Sequence, residues 1–291
     1  MQQQGTFCDF PGGDSWVILS PIEQSIKRKI EAVGTPLKDW DINIYRGVLT
    51  GYNEAFIIST EKRDEILKNC TTEEERKRTE ELIRPILRGR DIKRYGYEWA
   101  KLWLINTHNG VKGRIPRIRI EEYPAVKAHL DKYWDKIKDR ADQGDTPYNL
   151  RNCAYLDLLS QPKIVWGEIS DKTKFCIDAN GEFAPEATTF MMSGRDLYLL
   201  LAFLNCPISE YAFSKIGTTT GVGTVRWKKF KIEQLFVPTR LSDPKQRGIV
   251  DECRLLTEGH GNEESLNGLI YTVFGLSKEE IDFIENYRDS I

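Results

Sequence analysis

The chain has 291 residues, with 42 Lys and Arg against 44 Asp and Glu, and a formal net charge of -2. Taken whole, this balance is not that of a basic nucleic-acid-binding protein. Hydrophobic residues make up 40% of the sequence, enough to build a core of one large domain or two smaller ones. Neither a long apolar run nor a signal peptide is present, so we expect a cytoplasmic protein without membrane contact.

Cysteine and histidine usage excludes several kinds of site. The 6 cysteines are scattered singly, and no pair has C-x-x-C spacing. This pattern is typical of reduced thiols and not of a disulfide framework or a zinc site. The 3 histidines, His108, His129 and His260, are too few and too far apart for a His-rich metal site.

The overall charge conceals an asymmetry along the chain. Residues 241–291 contain 11 acidic and 5 basic residues, a balance of -6, which leaves +4 for residues 1–240. We therefore divide the chain into an N-terminal segment with a connector helix (1–40), a mildly basic body (41–240) and an acidic helical segment (241–291). The acidic segment should pack on the body or on another domain and not on a polyanion.

The first third of the chain contains clear start and stop signals. Ser20 and Glu23 form a capping box that predicts a helix ending near Gly34. Residues 42–58 predict two short strands joined by a turn. A charged helical stretch follows, and then residues 84–95, where proline and glycine predict an irregular basic loop.

The rest of the chain mixes strands and helices without regular alternation. A strand is predicted at 102–105 and an amphipathic helix at 124–140, with His129 as a packing residue. Further elements are predicted as strands at 163–166, 174–178 and 188–192, a helix at 196–205, a Gly/Thr-rich loop and exit strand within 217–238, and a helical remainder with a second capping box at Ser277 and Glu280. The expected class is α+β, with a mixed sheet and flanking helices.

The common catalytic motifs are absent. The sequence has no phosphate-binding loop, nucleophile elbow or H-E-x-x-H motif, and no Asn-Pro-Pro-Tyr. Asp91 and Lys93 have the acid-x-Lys spacing of many metal-dependent nucleases, so a stand-alone nuclease is one alternative. Because no partner acids are indicated, we expect no active site, cofactor or metal in this chain.

Three basic segments remain, at 84–94, 112–119 and 226–231, interleaved with tyrosines and tryptophans. If the fold brings them to one face, their lysines and arginines could contact the phosphates of double-stranded DNA. If they lie on unrelated faces, a non-catalytic protein-interaction domain becomes the better hypothesis.

Two segments resemble a known family. Residues 45–58 (YRGVLTGYNEAFII) and 83–95 (IRPILRGRDIKRY) are similar to the TaqI-like C-terminal specificity domain of type IIG restriction-modification enzymes. Pieces in the same order follow at 123–130, 148–151, 161–166, 201–205 and 269–285, so the resemblance extends from about Ile22 to the C-terminus. The 217–238 segment also resembles the end of recognition domains in type I specificity subunits.

The resemblance implies a target recognition domain at 41–240 that reads a short DNA sequence. In such enzymes an N6-adenine methyltransferase domain of the same polypeptide precedes this region and flips the target adenine. S-adenosylmethionine, and Mg²⁺ if the parent also cleaves DNA, would then belong to the parent enzyme. The base sequence and the oligomeric state are not encoded in any recognisable motif.

Candidate DNA-binding residues come from the matched motif, the basic segments and the Gly/Thr-rich loop. They are Arg46, Thr50, Asn53, Arg88, Arg90, Lys93, Arg94, Arg114, Arg117, Thr218, Thr219, Thr220, Arg226, Trp227 and Lys228. An arginine among them could contact guanine bidentately in the major groove. Two alternatives are structural: Gly51 and Asn53 would shape a turn, and Arg88 would pair with Asp91.

Overall fold

The computed structural model describes residues 19–217, 224–239 and 241–289. The helices are α1 (Pro21–Val33), α2 (Asn53–Phe56), α3 (Thr60–Lys68), α4 (Glu73–Leu82), α5 (Pro124–Asp131), α6 (Trp134–Ile137), α7 (Leu197–Asn205), α8 (Pro207–Ile216), α9 (Lys229–Ile232), α10 (Asp243–Thr257), α11 (Glu263–Phe274) and α12 (Lys278–Asp289). The strands are β1 (Thr35–Pro36), β2 (Ile42–Arg46), β3 (Ile57–Ser59), β4 (Ile83–Leu87), β5 (Leu102–Ile105), β6 (Lys163–Gly167), β7 (Ile169–Ser170), β8 (Phe175–Asp178), β9 (Ala184–Pro185), β10 (Thr189–Gly194), β11 (Val225–Arg226) and β12 (Phe236–Val237).

Two four-stranded sheets organise the described part of the chain. The first has the strand order β2-β10-β6-β8 and is antiparallel throughout. The second has the order β3-β5-β4-β9, and its β4-β9 pair is parallel. Two-stranded ribbons join β1 to β12 and β7 to β11. One antiparallel and one mixed sheet, with flanking helices, confirm the expected α+β class.

Each sheet contributes to its own hydrophobic core. The first core contains the apolar face of the first sheet, the almost fully buried helix α7, and residues of α1, α10, α11 and α12. The second core joins the second sheet to α2–α5. The acidic C-terminal helices therefore pack on the body, as one of the two expectations had it. A carboxylate of α12 also binds α1, where Glu280 accepts from Ser25 at 2.7 Å and Lys29 at 2.6 Å.

The local signals at helix ends are confirmed. Ser20 and Glu23 form the predicted capping box, and the N–H of Gly34 closes α1 on Ile30 O. At the start of α12 the backbone N–H of Ser277 donates to Glu280, while Glu280 N donates back to the Ser277 hydroxyl. These contacts satisfy backbone groups that a helix end leaves unpaired.

Three local predictions are wrong in part. Residues 42–58 do not form a hairpin, because β2 pairs with β10 while β3 pairs with β5 of the other sheet. The 84–95 segment is not an irregular loop throughout, since Pro85 is excluded from helices but fits the extended backbone of β4. The predicted helix at 124–140 breaks where Lys132 and Tyr133 donate to carbonyls three residues earlier.

No single helix of the described residues is long and apolar enough to cross a membrane. Helices α7 and α8 meet the length and composition criteria only when taken together, across a bend of 69°. Most residues of both helices are buried inside the protein.

Candidate nucleic-acid interface

The loop between β9 and β10, residues 186–188, is the point where several candidate residues meet. The Glu186 side chain is buried, and its carboxylate accepts from Thr188 N at 2.9 Å and from the Asn53 amide at 3.5 Å. Arg46 Nε donates to Ala187 O at 3.0 Å. We call this segment the 186–188 loop, and it connects β9 of the second sheet to β10 of the first.

Two glycines of the 45–58 motif have geometric roles. A Cβ at Gly47 would lie 2.1 Å from Glu186 O, so only glycine allows the chain to pass this close to the 186–188 loop. Gly51 has φ of +68°, the left-handed region that glycine tolerates best. The predicted turn chemistry at Gly51 is thus present, although the segment after it becomes α2 and not a strand partner of β2.

Thr50 and Asn53 of the same motif differ in exposure. Thr50 is buried, its hydroxyl donates to the Asn53 side chain, and its carbonyl accepts from Arg140 Nε at 2.8 Å. Asn53 is exposed at the rim of an open groove of about 450 Å³, which is lined by residues 49–54 with Asp142, Glu186 and Ala187. In the described structure Thr50 therefore shapes the turn, and Asn53 is the member that a ligand could reach.

Two arginines from distant parts of the chain share one carboxylate. Arg46 Nη2 lies 3.7 Å from Glu168 Oε2, and Arg226 Nη1 lies 3.1 Å from Glu168 Oε1. The arginine side chains remain 52% and 43% exposed, while that of Glu168 is 17% exposed. The fold thus brings together two candidate residues that are 180 positions apart, and both remain accessible.

The turn after β4 adjoins the same loop. Gly89 N donates to the Thr188 hydroxyl at 3.3 Å, and Arg90 beside it is exposed, with no ion pair among the described residues. Arg88 is bound to Asp91 through its Nε at 3.0 Å and Nη2 at 2.7 Å, and this contact raises the pKa of Arg88. The Arg88–Asp91 alternative is therefore present in the structure, and Arg90 is the free cation of this turn in the described chain.

The same contact bears on the nuclease alternative. Asp91 is buried, and both of its oxygens accept from Arg88. No group of three or more His, Cys, Asp or Glu side chains among residues 19–217, 224–239 and 241–289 could hold a metal ion. A metal-dependent nuclease built on Asp91 and Lys93 has no supporting observation in this part of the chain.

The second basic segment pairs with acids outside the 186–188 loop. Arg114 pairs with Asp157 at 2.9 Å and donates to Ala154 O at 3.2 Å. The neighbouring Tyr155 hydroxyl donates to Arg46 O, whereas Arg114 itself has no described contact with Arg46 or the 186–188 loop. Arg117 lies 3.8 Å from Asp145 and makes no described contact with the 186–188 loop.

The remaining candidates lie away from the loop or outside the described residues. Lys93 pairs with Glu98 at 3.2 Å, and Arg94, only 15% exposed, pairs with Glu263 of α11 at 2.8 Å. Trp227 is buried with its ring stacked on Phe213, so it packs in the core and offers no face to a ligand. Lys228 is half-buried ahead of α9. Thr218, Thr219 and Thr220 lie outside the described residues.

Three residues that the sequence did not indicate connect the segments of this site: Glu168, Thr188 and Tyr155. Each contacts a partner at least 58 positions away, so no local spacing marks it. The one available signal was at Glu168, an acid two residues after the end of the predicted strand of residues 163–166. Such an acid at a strand end is common and does not by itself indicate a partner.

The family assignment agrees with this arrangement. The model of the TaqI-like C-terminal specificity domain matches residues 84–237, more than half of the chain, and the chain belongs to this family. The matched range contains Glu168, the 186–188 loop and β11 with Arg226, whereas Arg46 at the end of β2 precedes it.

Known proteins similar to this chain in sequence or fold include a type II methyltransferase and two restriction enzymes. The chain is 22% identical over 276 residues to the type II methyltransferase M.PaeR7I of Pseudomonas aeruginosa, covering 92% of this chain and 44% of that protein. The type IIL restriction-modification enzyme MmeI, solved in complex with DNA, matches 87% of this chain and 36% of its own, with a TM-score of 0.60 and 12% identity. The type IIG restriction endonuclease BpuSI matches 89% and 33%, with a TM-score of 0.52 and 14% identity.

The chain spans less than half the length of each of these three proteins. Because the two solved structures are only 12% and 14% identical to this chain, their similarity to it is one of fold.

Proposed function

We propose that this chain is a sequence-specific module for double-stranded DNA, with residues 41–240 as its recognition body. It would position the duplex for N6-adenine methylation by a methyltransferase domain of the same polypeptide, in the cytoplasm. S-adenosylmethionine would bind that catalytic domain, as would Mg²⁺ if the parent enzyme cleaves. The family membership and the relatives, which are restriction-modification enzymes, support this assignment.

The observation that carries the proposal is the group of accessible arginines around the 186–188 loop. Arg46 and Arg226 come from separate segments and meet at Glu168 with largely accessible guanidinium groups. Arg90 is exposed on the turn whose Gly89 N–H donates to Thr188 of the same loop. Lysine and arginine contacts to phosphates supply affinity that falls as salt rises. An arginine can also bind guanine O6 and N7 bidentately, which supplies discrimination between base pairs.

The charge balance of the whole chain does not oppose this function. The -6 of residues 241–291 belongs largely to helices that pack against the first core, and one of their acids, Glu263, pairs with Arg94. A DNA duplex on the 186–188 side would meet the mildly basic body. No contact among residues 19–217, 224–239 and 241–289 favours a protein-interaction domain over DNA binding.

The test is duplex binding by the complete gene product, first with a random-sequence library and then with the enriched sequence at several salt concentrations. We expect Arg46→Ala and Arg226→Ala to weaken binding, and each lost phosphate contact to reduce the salt slope by about 0.9. Arg76→Ala is the matched control, because Arg76 is 46% exposed and pairs with Glu73 on α4. Absence of salt-dependent DNA binding by the complete protein would refute the proposal.

A further inference from the structure

The backbone of Glu168 is fixed on both sides. Its N–H donates to Thr188 O at 2.8 Å, and its carbonyl accepts from Trp227 N at 2.8 Å. Trp227 is itself buried and stacked on Phe213, so this second bond is tied to the first core. The carboxylate of Glu168 therefore starts from a rigid position between the 186–188 loop and β11.

The two arginines that meet this carboxylate are also held from other directions. Arg46 Nε donates to Ala187 O, and the Arg46 carbonyl accepts from the Tyr155 hydroxyl. Arg226 lies on β11 in register with Ile169 of β7. Because Arg46 and Arg226 approach different oxygens of Glu168, one carboxylate sets the positions of both guanidinium groups.

The charges of Arg46, Arg226 and Glu168 indicate the role of the carboxylate. Two guanidinium groups beside one carboxylate carry a net charge of about +1, and without the carboxylate the two cations would repel each other. A carboxylate beside a phosphate backbone lowers general affinity for DNA, since like charges repel. A site built for affinity alone gains nothing from Glu168, whereas a site that must hold two arginines in one geometry does.

We infer that Glu168 is a positioning residue that holds Arg46 and Arg226 as one fixed pair, and that this pair discriminates between base sequences. The inference rests on the proposed DNA-recognition function. Each guanidinium has five N–H donors, and the described contacts use two groups of Arg46, Nε and Nη2, and one group of Arg226, Nη1. Donors therefore remain for a duplex while Glu168 keeps the groups oriented.

The test compares the complete gene product with its Glu168→Gln variant on the library-enriched duplex and on a scrambled duplex. Glutamine keeps the size and one carbonyl oxygen but removes the charge that holds the arginines. We expect the ratio of the two affinities to fall about tenfold or more, within the range that one bidentate base contact supplies. Binding to the scrambled duplex should stay equal or become tighter, because a negative charge has been removed.

Two further variants separate geometry from charge and from folding. Glu65→Gln makes the same change at an exposed acid on α3 paired with Lys62, and should leave the ratio unchanged. Glu168→Asp keeps the charge but shortens the side chain, so a lower ratio with unchanged scrambled-duplex affinity would identify geometry as the cause. This variant also decides the matter if Glu168→Gln does not fold.

Three results would overturn the inference. If Glu168→Gln binds both duplexes more tightly by the same factor, Glu168 only adds a repulsive charge and does not position the arginines. Equal weakening on both, with a lower melting temperature, would make its role purely structural. If the wild-type protein itself shows no preferred sequence, the proposed function fails first, and that outcome is visible before any variant is made.

Discussion

The ion pair of Lys163 and Asp178 supports the chain that leads into the 186–188 loop. The two side chains are 0% and 3% exposed, and Lys163 Nζ lies 2.6 Å from Asp178 Oδ2. Asp178 also accepts from the backbone N–H groups of Glu182 at 3.0 Å and Phe183 at 2.9 Å. Asp178→Ala would leave a buried ammonium without its counter-charge and two backbone donors without their acceptor.

The expected loss is large, because an uncompensated charge inside a protein is costly. Removing one partner of a buried pair costs about 3–5 kcal/mol. That is a large share of the free energy of unfolding of a typical protein, which is roughly 5–15 kcal/mol.

The loss should also depend on pH. Burial lowers the pKa of Lys163 below its ordinary value, and Asp178 opposes that shift. Without Asp178 the pKa falls further, so between the lowered pKa and the unfolded value near 10.4 the unfolded state binds more protons. Stability of the variant therefore rises with pH through this window.

Urea unfolding measures both effects. We expect Asp178→Ala to lose about 3–5 kcal/mol near neutral pH and to recover part of it near pH 9. A double variant, Lys163→Met with Asp178→Asn, removes both charges at similar volume, keeps an acceptor oxygen at residue 178, and should be more stable than the single variant. A loss under about 1 kcal/mol, or one that does not shrink as pH rises, would refute the reasoning.

Three further predictions concern the site and its supports. Arg90→Ala should reduce the salt slope of DNA binding by about 0.9 without changing the melting temperature, and an unchanged slope would remove Arg90 from the interface. Gly47→Ala should lower the unfolding free energy by about 1–3 kcal/mol in urea, because its Cβ would lie 2.1 Å from Glu186 O; wild-type stability would contradict this. Burial would raise the pKa of Glu280, but Lys29 and the Ser277 N–H outweigh it and lower the pKa to about 2. The stabilisation by Glu280 should thus be lost as pH falls from about 4.5 to 2, and Glu280→Gln should show a smaller acid-induced loss in thermal melts.

Elements whose signals are local were predicted well. The capping boxes at Ser20 and Ser277, the strand at 102–105 and the strand at 163–166 all appear within a residue or so of the predicted positions. The predictions fail where one local pattern is compatible with different strand partners. Alternating apolar residues in 42–58 are equally compatible with a hairpin and with strands in two sheets, and only long-range pairing with β10 and β5 selects the second.

Sequence alone determined the charge asymmetry, the α+β class and the motifs that resemble a specificity domain, because composition, periodicity and motif order are properties of the chain. The tertiary structure decided which basic residues act together. Arg88 and Arg94 look equivalent to Arg46 and Arg226 in the sequence, yet the fold pairs the first two internally and leaves the last two largely exposed beside Glu168. The reason is physical: whether a cation is free for a ligand depends on which acid lies within a few ångströms. That acid is three residues away for Arg88 but distant in the chain for Arg94, Arg46 and Arg226.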